Sequence, residues 1–356
     1  MFVMVYGTRP EWIKVEPLVK ICQSYGKMIQ LVRIMQHGEE ILPFQKDYPE
    51  VVLQVDSHSN NRLLSLTTGV MRSFGDYCVR RGFGSNDHVL VQGDTTTAYA
   101  VALAASYAGL KVWHLEAGLR TNNLDSPSPE EFNRRSISML ADYHICTSQS
   151  GFDNLHKEYL KPKCTISEPL GNTTLDSLRD TPVSYEKFVL MTLHRAETQH
   201  LFPEAIHTMY HLASKNNFKV LLPLHPRHKY LLDTPLYQKL KECFIITEPL
   251  DRKSMCEILA SCAFVVTDSG GIQEEITYYN KYALVFRSET ERPEIIGSYG
   301  ELCPDIETLR YRCDQLMQMD VSKWPYIMNF VSRNKPYGKG YASKLIYGFI
   351  CENGGL

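Results

Sequence analysis

The chain has 356 residues, 44% of them apolar and 22% charged, with a net charge of -2, a composition ordinary for a soluble globular protein about two domains long. Near-neutral charge excludes the broad basic face of a nucleic-acid binder, and no run of 18 apolar residues is present to span a membrane. Ten cysteines without one Cys-x-x-Cys pair read as reduced core thiols, which favours a cytoplasmic protein.

MFVMVYGTRPE at the N-terminus has too short an apolar run and no basic region for a signal peptide, so Met1 to Tyr6 is expected to be a buried strand. Gly7-Thr8-Arg9-Pro10 then turns into a helix over 11–25, with Pro10 suited to the first turn. Strands are expected over 30–35, ending in Gln36-His37, and over 51–55. A long helix follows over 62–80. The next strand, 88–92, runs into Gly93-Asp94-Thr95-Thr96-Thr97 and an alanine-rich helix over 98–108. After it come a strand over 111–115, the segment Glu116 to Thr121, the proline-bearing loop LDSPSPEE, a helix over 130–140 and a strand over 142–147. Polar residues gather where strands end, the mark of a parallel doubly wound sheet with ligands at its C-terminal edge.

From about Gly171 the pattern restarts. Strands are expected over 188–193, 218–224 and 243–247, and helices over 203–215 and 252–261. The stretch AFVVTDSGGIQEEITYYNKYALVF, 263–286, reads as strand, turn of Asp268 to Gly271, helix opening at Ile272, and strand. A helix entered through two glycines offers unpaired N–H groups and the positive end of its dipole to an anion such as a diphosphate. Glu274 and Glu275 follow, placed so that one carboxylate reaches back toward a ribose. The loop RSETERPE and helices over 305–319 and 338–351 complete the chain. The expected architecture is α/β, two Rossmann-like domains facing across a cleft.

Three carboxylates, Asp94, Glu116 and Glu130, stand at strand-end or loop positions of the N-terminal half. Each has an ordinary reading as cap, turn acceptor or surface charge; together at one sheet edge they suit proton transfer. Arg9, Lys14, Arg120 and Arg134 accompany them, with His194, Arg195 and His225 in the second half, cations fitted to hold phosphate oxygens. His207 and His211 are spaced i, i+4 but lack the Glu of His-Glu-x-x-His, so an exposed helical face is expected and no metal site.

The motifs GTRPEWIK, QGDTTTAYA, HLEAGLRT, SPSPEEFNRR, GNTTLDSL, TLHRAET, TDSGGIQEE and ERPE occur in this order, and as a set they resemble the non-hydrolysing UDP-N-acetylglucosamine 2-epimerase family over nearly the whole chain. The resemblance implies the glycosyltransferase-B arrangement. It also implies a reaction in which UDP is eliminated to leave a 2-acetamidoglucal intermediate and then re-added with inversion at C2. It places Asp94, Glu116 and Glu130 among the proton-moving and sugar-positioning groups, His194 beside the departing diphosphate, and Lys14 as a stabiliser of charge. Arg9, Ser269, Gly270 and Gly271 would hold the uridine diphosphate with Arg195 and His225, and Glu275 the ribose hydroxyls. A UDP-sugar is the implied partner, in a homodimer that uses no cofactor. The closing segment NKPYGKGYAS is similar to the one that carries the family's last helix back onto the first domain. The implied division is therefore 1–168 plus 337–356 for a domain with the catalytic carboxylates, and 169–336 for a UDP-binding domain.

Some positions depart from the pattern. Gln36-His37-Gly38-Glu39 has an acid where an amide would face an activating UDP-sugar, and Ala196 stands where many members have a second arginine, so a second, regulatory site is not expected. His194-Arg195-Ala196-Glu197 also occurs in members acting on UDP-diacetamido-uronic acids. The C3 and C6 substituents are therefore left open, as are a hydrolysing epimerase and a glycosyltransferase on the same scaffold.

Overall fold

The computed structural model describes residues 1–36, 47–55, 61–178, 181–195, 197–331 and 334–356. The chain divides into two units, Met1–Ser177 with Tyr337–Leu356, and Leu178–Pro336. Each is a parallel sheet with helices between its strands.

In the first unit β1 (Phe2–Tyr6), β2 (Gln30–Gln36), β3 (Glu50–Val55), β4 (His88–Gln92), β5 (Lys111–Ala117), β6 (Tyr143–Cys146) and β7 (Thr165–Ile166) form one sheet in the order β3-β2-β1-β4-β5-β6-β7. The helices are α1 (Arg9–Ser24), α2 (Arg62–Arg81), α3 (Thr96–Tyr107), α4 (Glu130–Leu140) and α5 (Gln149–His156). All five residues of β1 are apolar and buried, as a parallel strand covered on both faces requires. Alternation then sorts them. Val3 and Val5 join a cluster with Phe74 and Tyr77 of α2 and Val101 of α3; Phe2, Met4 and Tyr6 join one with Trp12, Leu18 and Trp113.

In the second unit β8 (Phe188–Thr192), β9 (Lys219–Pro223), β10 (Phe244–Thr247), β11 (Phe264–Thr267), β12 (Tyr282–Val285) and β13 (Gly300–Leu302) lie in the order β10-β9-β8-β11-β12-β13. Their helices are α6 (Phe202–Asn216), α7 (Pro235–Leu240), α8 (Arg252–Ser261), α9 (Gly270–Tyr279), α10 (Ile306–Gln318) and α11 (Trp324–Val331). The chain then returns to the first unit as α12 (Ala342–Glu352). Among the described residues no helix is long and apolar enough to cross a membrane.

Several helices start elsewhere than their sequence suggests, α1, α9 and α12 among them. α1 begins at Arg9, two residues early, because Thr8 and Glu11 form a reciprocal capping box, each satisfying a backbone N–H of the other. α9 begins at Gly270, so both glycines lie inside its first turn, with Ser269 as N-cap. α12 begins at Ala342 and not at 338, because Gly338 and Gly340 hold φ of 91° and 81°, outside helical space. Its start is fixed from the far side of the chain: Asp176 accepts from the N–H of Ala342 at 2.9 Å and of Ser343 at 2.8 Å.

Strand order reverses between β1 and β4 in the first sheet and between β8 and β11 in the second. In open parallel sheets the crevice at such a reversal, at the strands' C-terminal ends, is where ligands bind. Each candidate group described next leaves its sheet at or beside one of these two points.

Candidate active site

The candidate groups of the first unit gather at the ends of β1, β4 and β5. Glu116, next to last in β5, sits at a register shift: Leu115 pairs with Ile145 and Ala117 with Cys146, leaving Glu116 out of the ladder. Its φ is 69°, left-handed backbone that costs a non-glycine residue about 1 kcal/mol or more. A bulge of this kind re-aims a side chain. Here it sends the carboxylate, only 7% exposed, onto the ammonium of Lys14 from α1 and the amide of Gln92 at the end of β4, the latter at 2.5 Å. The strain is thus maintained by contacts from two other elements, α1 and β4, around one carboxylate. Gly118 follows with φ 87°, and a β-carbon there would lie 2.6 Å from the backbone carbon of Gly151, so this corner admits only glycine.

Asp94, two residues beyond β4, is half-buried and takes both the Nη2 of Arg134 at 2.7 Å and its Nε at 2.9 Å. Glu130 opens α4 one turn before Arg134, at the i, i+4 spacing that puts the two on one helix face. Arg9 is exposed at the first position of α1. The loops are fastened together by Glu11, whose carboxylate accepts from the N–H of Gly7 at 2.9 Å and the hydroxyl of Thr95 at 2.7 Å. Burial raises its pKa, opposed by those donors.

Two cations expected to face phosphate do something else. Arg120, 4% exposed, forks onto Glu158 at 2.8 and 2.7 Å and reaches Ser138 at 2.8 Å. Arg134 is divided between Asp94 and the fully buried Glu131, 3.0 Å away. Both serve to brace the loops, because buried guanidinium groups need carboxylate partners within the fold.

His114, two residues before Glu116 on β5, places its Nε2 2.8 Å from the carbonyl of Gly93 and so steadies the turn that presents Asp94. It lies in register with His144 of β6, a fully buried ring whose two nitrogens have no partner among the described residues. Burial lowers the pKa of His114 to about 4 and of His144 to about 3. The unfolded chain takes up protons at these rings below about pH 6.5, the folded chain only near 4 and 3. Stability is therefore complete above pH 6.5 and falls as pH drops below it, by up to about 1.4 kcal/mol per pH unit for each ring. Urea titrations between pH 7 and 4.5 should show that slope, and His144→Phe should lessen it by up to about 1.4 kcal/mol per pH unit.

The candidate groups of the second unit gather at the ends of β8, β9 and β11. Asp268, fully buried, is its hub. Its carboxylate accepts from the N–H of His194 at 2.9 Å and of Arg195 at 2.9 Å, from the Thr198 hydroxyl at 2.7 Å, and lies 3.2 Å from the His194 Nδ1. Nδ1 is thereby assigned as the proton-bearing nitrogen facing Asp268, leaving Nε2 on the far edge of the half-buried ring. Desolvation lowers the His194 pKa, and Asp268 works against it. His225, past β9, stands 6.0 Å from His194 between ring centres and accepts from the Arg227 N–H at 3.3 Å. Arg195 sends its Nε to the Asp268 carbonyl at 2.9 Å and its Nη2 to within 3.6 Å of Glu291.

Ser269 caps α9 with its backbone; its side chain makes no capping bond. The two glycines that follow are needed for different reasons. A β-carbon on Gly270 would lie 2.6 Å from the Arg292 Cζ, whereas one on Gly271 would meet nothing nearer than the Ser269 hydroxyl at 4.0 Å. Gly270 is closed from behind by Arg292, and Gly271 faces open space where a ligand can approach the helix N-terminus. Arg292 is held by Glu274 at 2.9 Å and by Glu291, which Arg287 also holds at 2.9 Å. Glu274 is thus committed inside the fold, which leaves Glu275 as the acid able to receive a ligand.

Sequence reasoning passed over Asp268, Gln92, Arg292 and Glu11 as functional residues. In the sequence Asp268 is one more turn residue of TDSGG, and nothing local to ERPE gives its arginine a role. His207 and His211 are both exposed on α6, with their Nε2 atoms 3.2 Å apart; among the described residues no group of three or more potential metal ligands is assembled. His37, Gly38, Glu39 and Ala196 lie outside the described residues.

Residues 30–351 match the family model described as UDP-N-acetylglucosamine 2-epimerase. The chain is 31% identical to the UDP-N-acetylglucosamine 2-epimerase of Salmonella borreze, covering 98% of this chain and 97% of that one. With the enzyme of the same name from Bacillus subtilis strain 168 the identity is also 31%, covering 96% and 92%. Among solved structures it resembles the UDP-GlcNAc 2-epimerase of Neisseria meningitidis bound to UDP-GlcNAc, with a TM-score of 0.81 and 29% identity over 99% of this chain and 100% of that one. MurG of Acinetobacter baumannii shares the fold at a TM-score of 0.59 and 13% identity, over 99% of each chain.

Proposed function

Because the chain belongs to the UDP-N-acetylglucosamine 2-epimerase family, we propose that it interconverts UDP-GlcNAc and UDP-ManNAc, with no cofactor, by eliminating and re-adding UDP. The proton on C2 is removed as the bond from C1 to the UDP oxygen breaks, giving the 2-acetamidoglucal. UDP then re-forms the bond at C1 while C2 receives a proton on its other face. Inversion requires acid and base groups on both faces of the ring and a diphosphate retained while it is free. The single observation that carries the reading is Glu116, a carboxylate forced into left-handed backbone and met there by Lys14 and Gln92.

In this reading Asp94, Glu116 and Glu130 move protons and position the sugar, and Lys14 offsets negative charge as it grows. The first turn of α9, with Ser269, Gly270 and Gly271, receives the diphosphate, assisted by Arg9, Arg195 and His225. His194, its ring fixed by Asp268, presents Nε2 to the departing oxygen. Glu275 accepts from the ribose hydroxyls. A homodimer in the cytoplasm completes the proposal.

The test is incubation with UDP-GlcNAc in deuterated water, followed at C2 by NMR. Deuterium at C2 with UDP-ManNAc accumulating is expected. Free ManNAc with UDP would instead mark a hydrolysing enzyme. No exchange with this nucleotide sugar, but exchange with a UDP-diacetamido-uronic acid, would move the substrate. Absence of exchange with either, and sugar transfer to an added acceptor, would overturn epimerisation altogether.

A further inference from the structure

Glu275 sits in α9 four residues after Gly271, so both project from the same face of the helix, one turn and about 6 Å apart. Along that face the helix offers open space over Gly271 and then a carboxylate that is only 4% exposed. The two oxygens of that carboxylate are not equivalent. Oε1 lies 2.6 Å from the Nη1 of Arg252, whereas Oε2, itself buried, accepts no hydrogen bond from any described residue. A buried carboxylate oxygen with no donor is costly, and its place one turn from the anion end of the helix matches the offset between a diphosphate and the sugar hydroxyls of its nucleoside.

We propose that Arg252 is a positioning residue for nucleotide recognition: by holding Oε1 it turns Oε2 of Glu275 toward the vicinal hydroxyls of a ribose, and so sets the preference for ribo- over deoxyribonucleotides. The proposal rests on Glu275 being the ribose acceptor. Arg252 is suited to the task because it comes from a different helix. It is the first residue of α8, whose start is fixed by Asp251 accepting from the Ser254 N–H at 2.7 Å. The guanidinium is therefore anchored independently of α9, and a planar, always charged donor holds one carboxylate oxygen in a fixed direction better than a flexible ammonium does. Without it the Glu275 side chain is free to rotate, and the charge-assisted bond to a hydroxyl loses its aim.

The experiment compares the Kd of UDP with those of 2′-deoxy-UDP and 3′-deoxy-UDP, for the wild type and for Arg252→Gln. The wild type is expected to prefer UDP by about tenfold or more, the order for a hydrogen bond to a charged group. Arg252→Gln should bring that ratio to within about threefold of one while binding the deoxynucleotides as the wild type does, which also shows that it folds. Arg252→Met is the second variant, with the same expectation, and Arg252→Lys should recover part of the preference. Arg252 is 27% exposed in its side chain, so replacing it leaves the core intact. A wild type that binds all three nucleotides alike would remove Glu275 from ribose recognition, and the proposal with it. A wild type that discriminates, beside Gln and Met variants that discriminate equally well, would overturn the role of Arg252 and leave that of Glu275 standing.

Discussion

Glu116→Gln is expected to lower turnover by at least about 100-fold, the size of effect seen when a positioned acid or base is lost, with the Kd for UDP changed by less than about threefold. The separation follows from where the residue stands. Glu116 belongs to the first unit, against Lys14 and Gln92, and the proposed diphosphate groups belong to the second. Glutamine keeps the size of the side chain and an oxygen for Lys14, so the bulged backbone should persist, yet it cannot cycle a proton. Deuterium exchange at C2 is the direct measurement, read beside UDP binding by calorimetry. Near-normal exchange in the variant would take Glu116 out of the mechanism.

The second large effect is a contrast between neighbours. Gly270→Ala is expected to destabilise the second unit by about 3–5 kcal/mol, because the new methyl displaces Arg292 from Glu274 and Glu291, and a buried ion pair broken on one side costs that much. Against a typical total stability of about 5–15 kcal/mol, the variant should be soluble only in part. Gly271→Ala meets open space, so its unfolding midpoint should stay within about 0.5 kcal/mol of the wild type. Its methyl nevertheless occupies the approach to the helix N-terminus, and UDP affinity should fall by about tenfold or more. Urea unfolding and UDP titration of the two variants give opposite patterns if the assignment is right. Equal loss of stability in both would mean that the glycines serve the turn alone.

Much of this was legible in the sequence because local chemistry fixed it. The apolar strands with polar ends, the alanine-rich helix at 98–108 and the Gly-Gly entry into α9 each state their structure within a few residues. α5, α7, α11, β7 and β13 went unread, being too short to show a period; β7 has two residues and β13 three. Helix starts were misplaced where the deciding contact is remote. Glycine is a poor helix former, which argued for opening α9 at Ile272, and only the guanidinium of Arg292 explains a glycine inside its first turn. The candidate site divides in the same way. Asp94, Glu116, Ser269 and Glu275 could be named from motifs, but which side chain orients which could not, since Asp268 reaches His194 across 74 positions and Arg252 reaches Glu275 across 23. Two charges in a sequence say nothing of which pairs with which.

The return of the chain as α12 also bears on how the protein is made. Asp176 waits for the N–H groups of Ala342 and Ser343, and Ile346 and Ile350 fill the same cluster as Phe2, Met4 and Trp113. During synthesis on the ribosome that face of the first-made sheet is therefore covered only in part, by α1, until α12 is made, while residues 178–336 can fold ahead of it. A nascent chain stalled or truncated before α12 would expose that apolar sheet face to chaperones and proteases, although every proposed catalytic residue had already been translated.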